Sequence, residues 1–279
     1  MSLAASSLAG LAEQDAWAAR KRFVDVGVLD LAYVDIPGEG RPLLLIHGFT
    51  DTSRSFSLLA PHLAGHRLVM PDLRGHGASQ AGRGFGVADF AGDMAGLIRS
   101  LGLDRPLVVG HSLGAMVSIA LAAGHPELVG GLMLLAGTLR TDFPADHPLV
   151  LAVEALRDPI EPTDPFYDWW HACEAAVPEA FLACLAREAS DMPAARWRAI
   201  LAEIRRADLM ADAWAVQPGT RIIAGGRDPL FGEAQQNAMA RVLPDASLAW
   251  ARECGHNPHW EDPAFVALEI ERMLAHTRA

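Results

Sequence analysis

No run of this chain is long and apolar enough to span a bilayer, so a membrane-spanning segment is not expected. Positive charge is scarce. Lysine and arginine together number 23 against 34 aspartates and glutamates, a formal net charge of -11. Phosphate backbones would be repelled, which excludes a nucleic-acid partner. Cysteine is almost absent. Cys173, Cys184 and Cys254 are three in number, so at least one cannot pair internally. Their spacing fits no metal signature, and reduced, mostly buried thiols are expected. Internal repeats and low-complexity tracts are missing too, as is any sign of an organic cofactor. The chain that remains is 51% apolar and 20% charged over 279 residues, enough for one domain with a sizeable core and an insertion. The small apolar run Ser2 to Ala12 has no basic stretch ahead of it, unlike a secretory leader. Residues 1–20 are therefore expected to form an N-terminal arm or surface helix, and the protein to be cytoplasmic.

The apolar pattern divides the chain. Phe23 to Val28 and Leu29 to Ile36 alternate around Gly27, as an antiparallel strand pair would. Pro37 to Gly40 is a turn. Leu43–Ile46 is a short, wholly apolar run, as expected of a strand buried on both faces, and further short strands follow at Arg67–Met70, Leu107–Val109, Leu132–Leu135, Arg221–Ala224 and Ser247–Trp250. Helical spacing separates them at 55–63, 87–101, 115–123, 234–243 and 263–276. This alternation predicts an α/β fold with a mostly parallel, eight-stranded sheet covered on both sides. From about Thr138 to Val216 the rhythm changes. Prolines punctuate short helical segments rich in aromatics, and no strand pattern appears. Such apolar content marks a helical insertion rather than a linker. The expected division is a core of residues 1–137 and 217–279 with an inserted helical domain over 138–216.

Functional residues of parallel sheets lie just past the carboxyl ends of strands. After Leu107–Val109 comes Gly110-His111-Ser112-Leu113-Gly114, a strand-turn-helix order with a serine at the apex. The flanking glycines let neighbouring backbone pass close to a strained turn, and the Leu113 amide opens a helix where an oxyanion can rest. A serine hydroxyl needs a base. His256, in Gly255-His256 after the last strand, is the candidate, with His259 as a rival. Asp228, in Gly226-Arg227-Asp228, can accept the imidazole N–H and stabilise the imidazolium. Asp142 and Asp146, beyond Leu132–Leu135, are alternative acids. After Leu43–Ile46, His47-Gly48-Phe49 offers the Phe49 amide as a second oxyanion donor, with His47 bracing the loop. Asp72 and Arg74 order the glycine-rich turn 71–79, which lacks the ending of a phosphate loop. The histidines at 62, 66, 125, 147, 171 and 276 are expected on the surface.

These motifs resemble the α/β-hydrolase superfamily from about Phe23 to His276. His47-Gly48-Phe49, Asp72-Leu73-Arg74-Gly75-His76-Gly77, Gly110-His111-Ser112-Leu113-Gly114, Gly226-Arg227-Asp228 and Gly255-His256 fall in that family's order. The resemblance implies the α/β-hydrolase fold, with Ser112 as nucleophile, His256 as base, Asp228 as orienting acid, and Phe49 and Leu113 as oxyanion amides. It also implies that 138–216 is a helical cap, with no metal and no cofactor. Dehalogenases and epoxide hydrolases of the fold carry aspartate where this chain has Ser112, which disfavours alkyl-enzyme chemistry. Acyl transfer on a carboxylic ester or lactone of a small apolar or aromatic molecule is the first expectation. Hydrolysis of a carbon–carbon bond in a diketone or ring-cleavage product uses the same triad. Cofactor-free perhydrolysis fits less well with a large cap, and a small-molecule receptor would not need an intact triad. Trp169 and Phe231 are the expected pocket walls. A homo-oligomer is compatible with the sequence.

Overall fold

The computed structural model describes Gln14 and residues 16–276. Eight strands form one sheet: β1 Arg22–Asp25, β2 Asp30–Ile36, β3 Glu39–Ile46, β4 His66–Pro71, β5 Leu107–His111, β6 Gly131–Leu135, β7 Thr220–Gly225 and β8 Ala246–Ala251. Their spatial order is β1-β2-β4-β3-β5-β6-β7-β8. β2 runs antiparallel to both β1 and β4, and every other pairing is parallel. The expected α/β class and eight-stranded sheet are therefore present. β5 and β6, in the middle, are buried at every residue, which is why they read as unbroken apolar runs.

Helices cover both faces. Among them are α1 Val87–Ser100 and α2 Leu113–Gly124, which contribute Phe90, Met94, Ile98, Met116 and Ile119 to the larger apolar core. Between β6 and β7 the chain forms five α-helices: α3 Pro148–Ala155, α4 Pro165–Trp170, α5 Glu179–Ser190, α6 Ala194–Arg206 and α7 Met210–Ala215. α8 Glu233–Val242, the short α9 Pro258–Glu261 and α10 Pro263–His276 complete the fold. Val266, Ile270 and Leu274 of α10 join Leu43, Leu45, Val109 and Ile223 in a second core on the opposite face of the sheet.

Two expectations are corrected and one is narrowed. The segment 55–63 is not one helix but two 3-10 turns, Ser53–Phe56 and Ala60–Leu63. The Ser55, Ser57 and Leu59 amides donate to the carbonyls three residues back, of Thr52, Arg54 and Phe56, and Pro61 has no N–H to extend a helical ladder. Much of the N-terminal segment, residues 1–13 and 15, lies outside the described residues. Its described part is not a loose arm. Trp17 is buried and donates to Ser53 Oγ at 3.2 Å, and the Arg54 guanidinium donates to the Gln14 carbonyl. His171 is buried, not on the surface. Its ring lies tilted against Tyr167 and edge-on to Trp260, and burial pushes its imidazole down to about 4. The His276 side chain lies outside the described residues.

Candidate active site

The parallel strands end on one side of the sheet, and the loops that follow them meet there. Ser112 stands between β5 and α2 with φ 51° and ψ -113°, a left-handed conformation that costs energy in a non-glycine residue. The turn leaves no room at its flanks. A Cβ on Gly114 would lie 2.0 Å from the Ile46 carbonyl oxygen, and one on Gly110 would lie 2.3 Å from that of Gly114. Both positions require glycine for β3, β5 and α2 to approach.

Ser112 Oγ lies 3.0 Å from His256 Nε2, and His256 Nδ1 lies 2.9 Å from Asp228 Oδ2. With the Nδ1 proton donated to the carboxylate, Nε2 is left as the acceptor of the serine proton. Asp228 is held in turn. Its Oδ1 accepts from the amides of Leu230 at 2.8 Å and Phe231 at 3.2 Å. Its carboxylate is almost wholly buried, whereas His256 keeps one edge open. The rival residues stand elsewhere. His259 is buried and bonds Ser55 Oγ at 2.9 Å, and Asp142 and Asp146 are exposed. The amides of Phe49 and Leu113 have no acceptor among the described hydrogen bonds.

The loop after β3 is braced from two directions. His47 Nε2 accepts the Leu73 amide at 2.9 Å, while its Nδ1 donates to the Gly48 carbonyl at 2.8 Å. Burial pushes this imidazole down to about 3, so it stays neutral. Thr50, at φ 72°, accepts from Trp170 Nε1 of α4 at 2.9 Å. The turn after β4 is ordered as expected. Asp72 accepts from the Ser53 and Ala78 amides and from Lys21. Burial raises its carboxyl, but Lys21 and the two amides outweigh that, and it sits below the usual range. Arg74 Nε donates to Asp93 at 2.6 Å.

Other participants had no signature in the sequence. Asp51 lines the site, accepts from Ser55 Oγ at 3.0 Å and lies 3.9 Å from His111 Nδ1. Burial pushes its carboxyl up to about 7, against the opposing pull of Ser55 and His256. His111 Nε2 donates to the His256 carbonyl at 3.0 Å. Burial, with His259 and His256 nearby, keeps His111 neutral. Glu261 joins two remote segments: Oε1 accepts from Gly255 at 2.9 Å, and Oε2 from Glu174 at 2.8 Å and Ala175 at 3.1 Å.

Two cavities meet at Ser112 and share Phe49, Trp170 and Leu230 as walls. The larger, of about 130 Å³, opens to solvent and includes His256, Asp51, Glu174, Trp169 and Trp260 in its lining. The other, of about 20 Å³, is smaller and only marginally more closed, and includes Leu113, Met116, Phe143, Leu201, Ile204 and Phe231. Of the expected walls, Trp169 thus lines the first and Phe231 the second. No cluster of three or more metal-ligating side chains occurs among the described residues.

Residues 43–269 match the alpha/beta hydrolase family. The chain belongs to that family. As an alpha/beta hydrolase it is an enzyme, and its relatives include proteins named as hydrolases. It is 31% identical over 260 residues to the pimeloyl-[acyl-carrier protein] methyl ester esterase of Aromatoleum aromaticum, covering 83% of this chain and 97% of that one. It is 39% identical over 116 residues to the 2-(acetamidomethylene)succinate hydrolase of Mesorhizobium japonicum, a match that spans 41% of either protein. Among solved structures, an esterase from Thermogutta terrifontis superposes with a TM-score of 0.78 at 25% identity, covering 93% of this hydrolase and 99% of that chain. No helix among its described residues is long and apolar enough to cross a membrane.

Proposed function

We propose that this hydrolase cleaves carboxylic esters or lactones of small apolar molecules through an acyl-enzyme on Ser112. The observation that carries the reading is the unbroken chain of contacts from Ser112 Oγ through His256 to Asp228, at 3.0 and 2.9 Å. His256 Nε2 takes the serine proton as Oγ attacks the carbonyl carbon. The oxyanion accepts hydrogen bonds from the Phe49 and Leu113 amides, which lack other acceptors among the described residues. The tetrahedral intermediate collapses, and the alkoxide leaves with the proton from His256. Water, deprotonated by the same nitrogen, attacks the acyl carbon and releases the acid and Ser112. Asp228 stays ionised and stabilises the imidazolium that forms twice in this cycle. The helices over 138–216 act as a cap, since Trp169 and Trp170 of α4 close one side of the cavity.

The test is hydrolysis of p-nitrophenyl acetate by the wild type and by Ser112→Ala. The expected loss is about a thousandfold or more in kcat with the fold intact. Undiminished turnover by the variant contradicts the nucleophile, and stoichiometric binding without turnover by the wild type favours a receptor.

A further inference from the structure

The two cavities differ in which catalytic groups they reach. His256 lines the open cavity and not the closed one, whereas Leu113 lines the closed one and not the open one. A leaving alkoxide must lie within hydrogen-bond reach of His256 Nε2 to collect its proton. The alcohol part of a bound ester therefore points into the open cavity, and so does the water that attacks the acyl-enzyme. With Oγ on the carbonyl carbon and the oxyanion on the two amides, one direction remains for the acyl chain. That direction is the closed cavity.

The walls set what each arm can be. The closed cavity is lined by apolar side chains apart from Ser112, and neither cavity has a lysine or arginine in its lining. A carboxylate at the end of the acyl chain would lose its water there and find no cation, which is costly. Space is also limited. The closed cavity has a volume of about 20 Å³, against about 130 Å³ for the open one. One water needs about 10–15 Å³ by this measure, so the closed cavity suits a very small group. The open cavity offers the indoles of Trp169, Trp170 and Trp260, broad faces suited to a larger or aromatic alcohol.

We propose that the enzyme selects esters of short, uncharged acyl groups, of about two to four carbons, with a bulkier alcohol held against the indoles. This division rests on the ester-hydrolase reading above and adds which arm goes where. In this arrangement Leu201 and Ile204 of α6 set acyl length, and Trp169 sets alcohol preference.

The experiment compares kcat/KM in two series. The acyl series is p-nitrophenyl acetate, butyrate, octanoate and hemisuccinate; the alcohol series is phenyl and 1-naphthyl acetate. The wild type is expected to favour butyrate over octanoate by about tenfold or more, and butyrate over hemisuccinate by about a hundredfold. Leu201→Ala and, independently, Ile204→Ala are expected to narrow the butyrate-to-octanoate gap about tenfold with the naphthyl-to-phenyl ratio unchanged. Trp169→Ala is expected to shift the alcohol ratio and leave the acyl ratio alone. Should Leu201→Ala fail to fold, the Ile204 variant and the wild-type series decide the matter. Octanoate or hemisuccinate cleaved as fast as butyrate overturns the division, as does a Leu201 or Ile204 variant that moves only the alcohol ratio. In both cases Ser112-dependent turnover persists and the ester reading stands. No Ser112-dependent turnover of any ester sinks that reading and the division with it.

Discussion

The site depends on single residues whose geometry permits little substitution. Ser112 occupies a backbone conformation that other packing must enforce, and Gly110 and Gly114 supply that packing by having no side chain. Asp228 contributes through its fixed position. It holds the Nδ1 proton of His256 and is itself held by two amides. Asp228→Asn preserves the shape but offers an N–H donor or a neutral acceptor where a carboxylate stood, so the rate is expected to fall by about four orders of magnitude. Asp142→Asn, at an exposed position remote from these contacts, is expected to leave the rate within twofold or so. Steady-state kinetics of the two purified variants makes the comparison, and the reverse result reassigns the acid. That Ser112, Asp228 and His256 would meet was legible in the sequence because each follows a short strand and sits in its own glycine turn. Asp51, His111 and Glu261 were not. Glu261 acts on backbone at residues 174, 175 and 255, and no local spacing reveals such partners.

At the scale of elements, periodicity located all the strands and the helices over 87–100, 113–124, 233–242 and 263–276, but not the individual helices of the insertion. It failed where polar contacts, not apolar spacing, decided the backbone. The 55–63 stretch has helical spacing, yet its amides bond carbonyls three residues back and Pro61 has no N–H, so the chain takes two tight turns. The residues just ahead of it anchor the inserted helices. Arg54, fully buried, donates through Nε and Nη2 to Glu188 of α5 at 2.9 and 2.6 Å, and Thr52 Oγ1 bonds the other carboxylate oxygen. Removing one member of a buried pair strands the other charge. Glu188→Ala is therefore expected to lower the unfolding free energy by about 3–5 kcal/mol, read by urea denaturation. A change below 1 kcal/mol or so would show that water reaches Arg54 and that the anchor is weak. Because Thr52 and Arg54 follow the Phe49 loop directly, the same variant is also expected to reduce kcat.

At the scale of the whole molecule, the number of buried neutral histidines sets the response to acid. Burial lowers His47 to about 3 and His76 and His171 to about 4, from an ordinary 6.5. Below pH 6.5 the unfolded chain binds protons that these residues refuse in the folded one. Their contribution to stability is therefore full above pH 6.5 and is lost as the pH falls toward 4 and 3. Each adds a slope of about 1.4 kcal/mol per pH unit in that window. Asp51 opposes them. Its folded carboxyl is raised from 3.8 to about 7, so its contribution is full below 3.8 and is lost as the pH rises through 7. Three histidines outweigh one carboxyl, and net stability is expected to decline from pH 6.5 to 4, with a shallower decline in His171→Gln. Denaturation series at several pH values check both. A flat profile would mean that the imidazoles are hydrated in the folded state. The insertion was visible from its prolines and aromatics, but its role was not. Trp197 and Phe181 are buried for packing, whereas Trp169 and Trp170 line the cavity, and only three-dimensional placement separates the two groups.

The central claim is that Ser112 is the residue acylated in turnover. Its most direct test is reaction of the intact enzyme with a serine-directed alkyl fluorophosphonate, followed by peptide mass spectrometry. The account predicts one adduct per chain, located on Ser112, formed in step with the loss of ester hydrolysis and absent from His256→Ala. An adduct on another residue, or full activity retained with Ser112 modified, would contradict it.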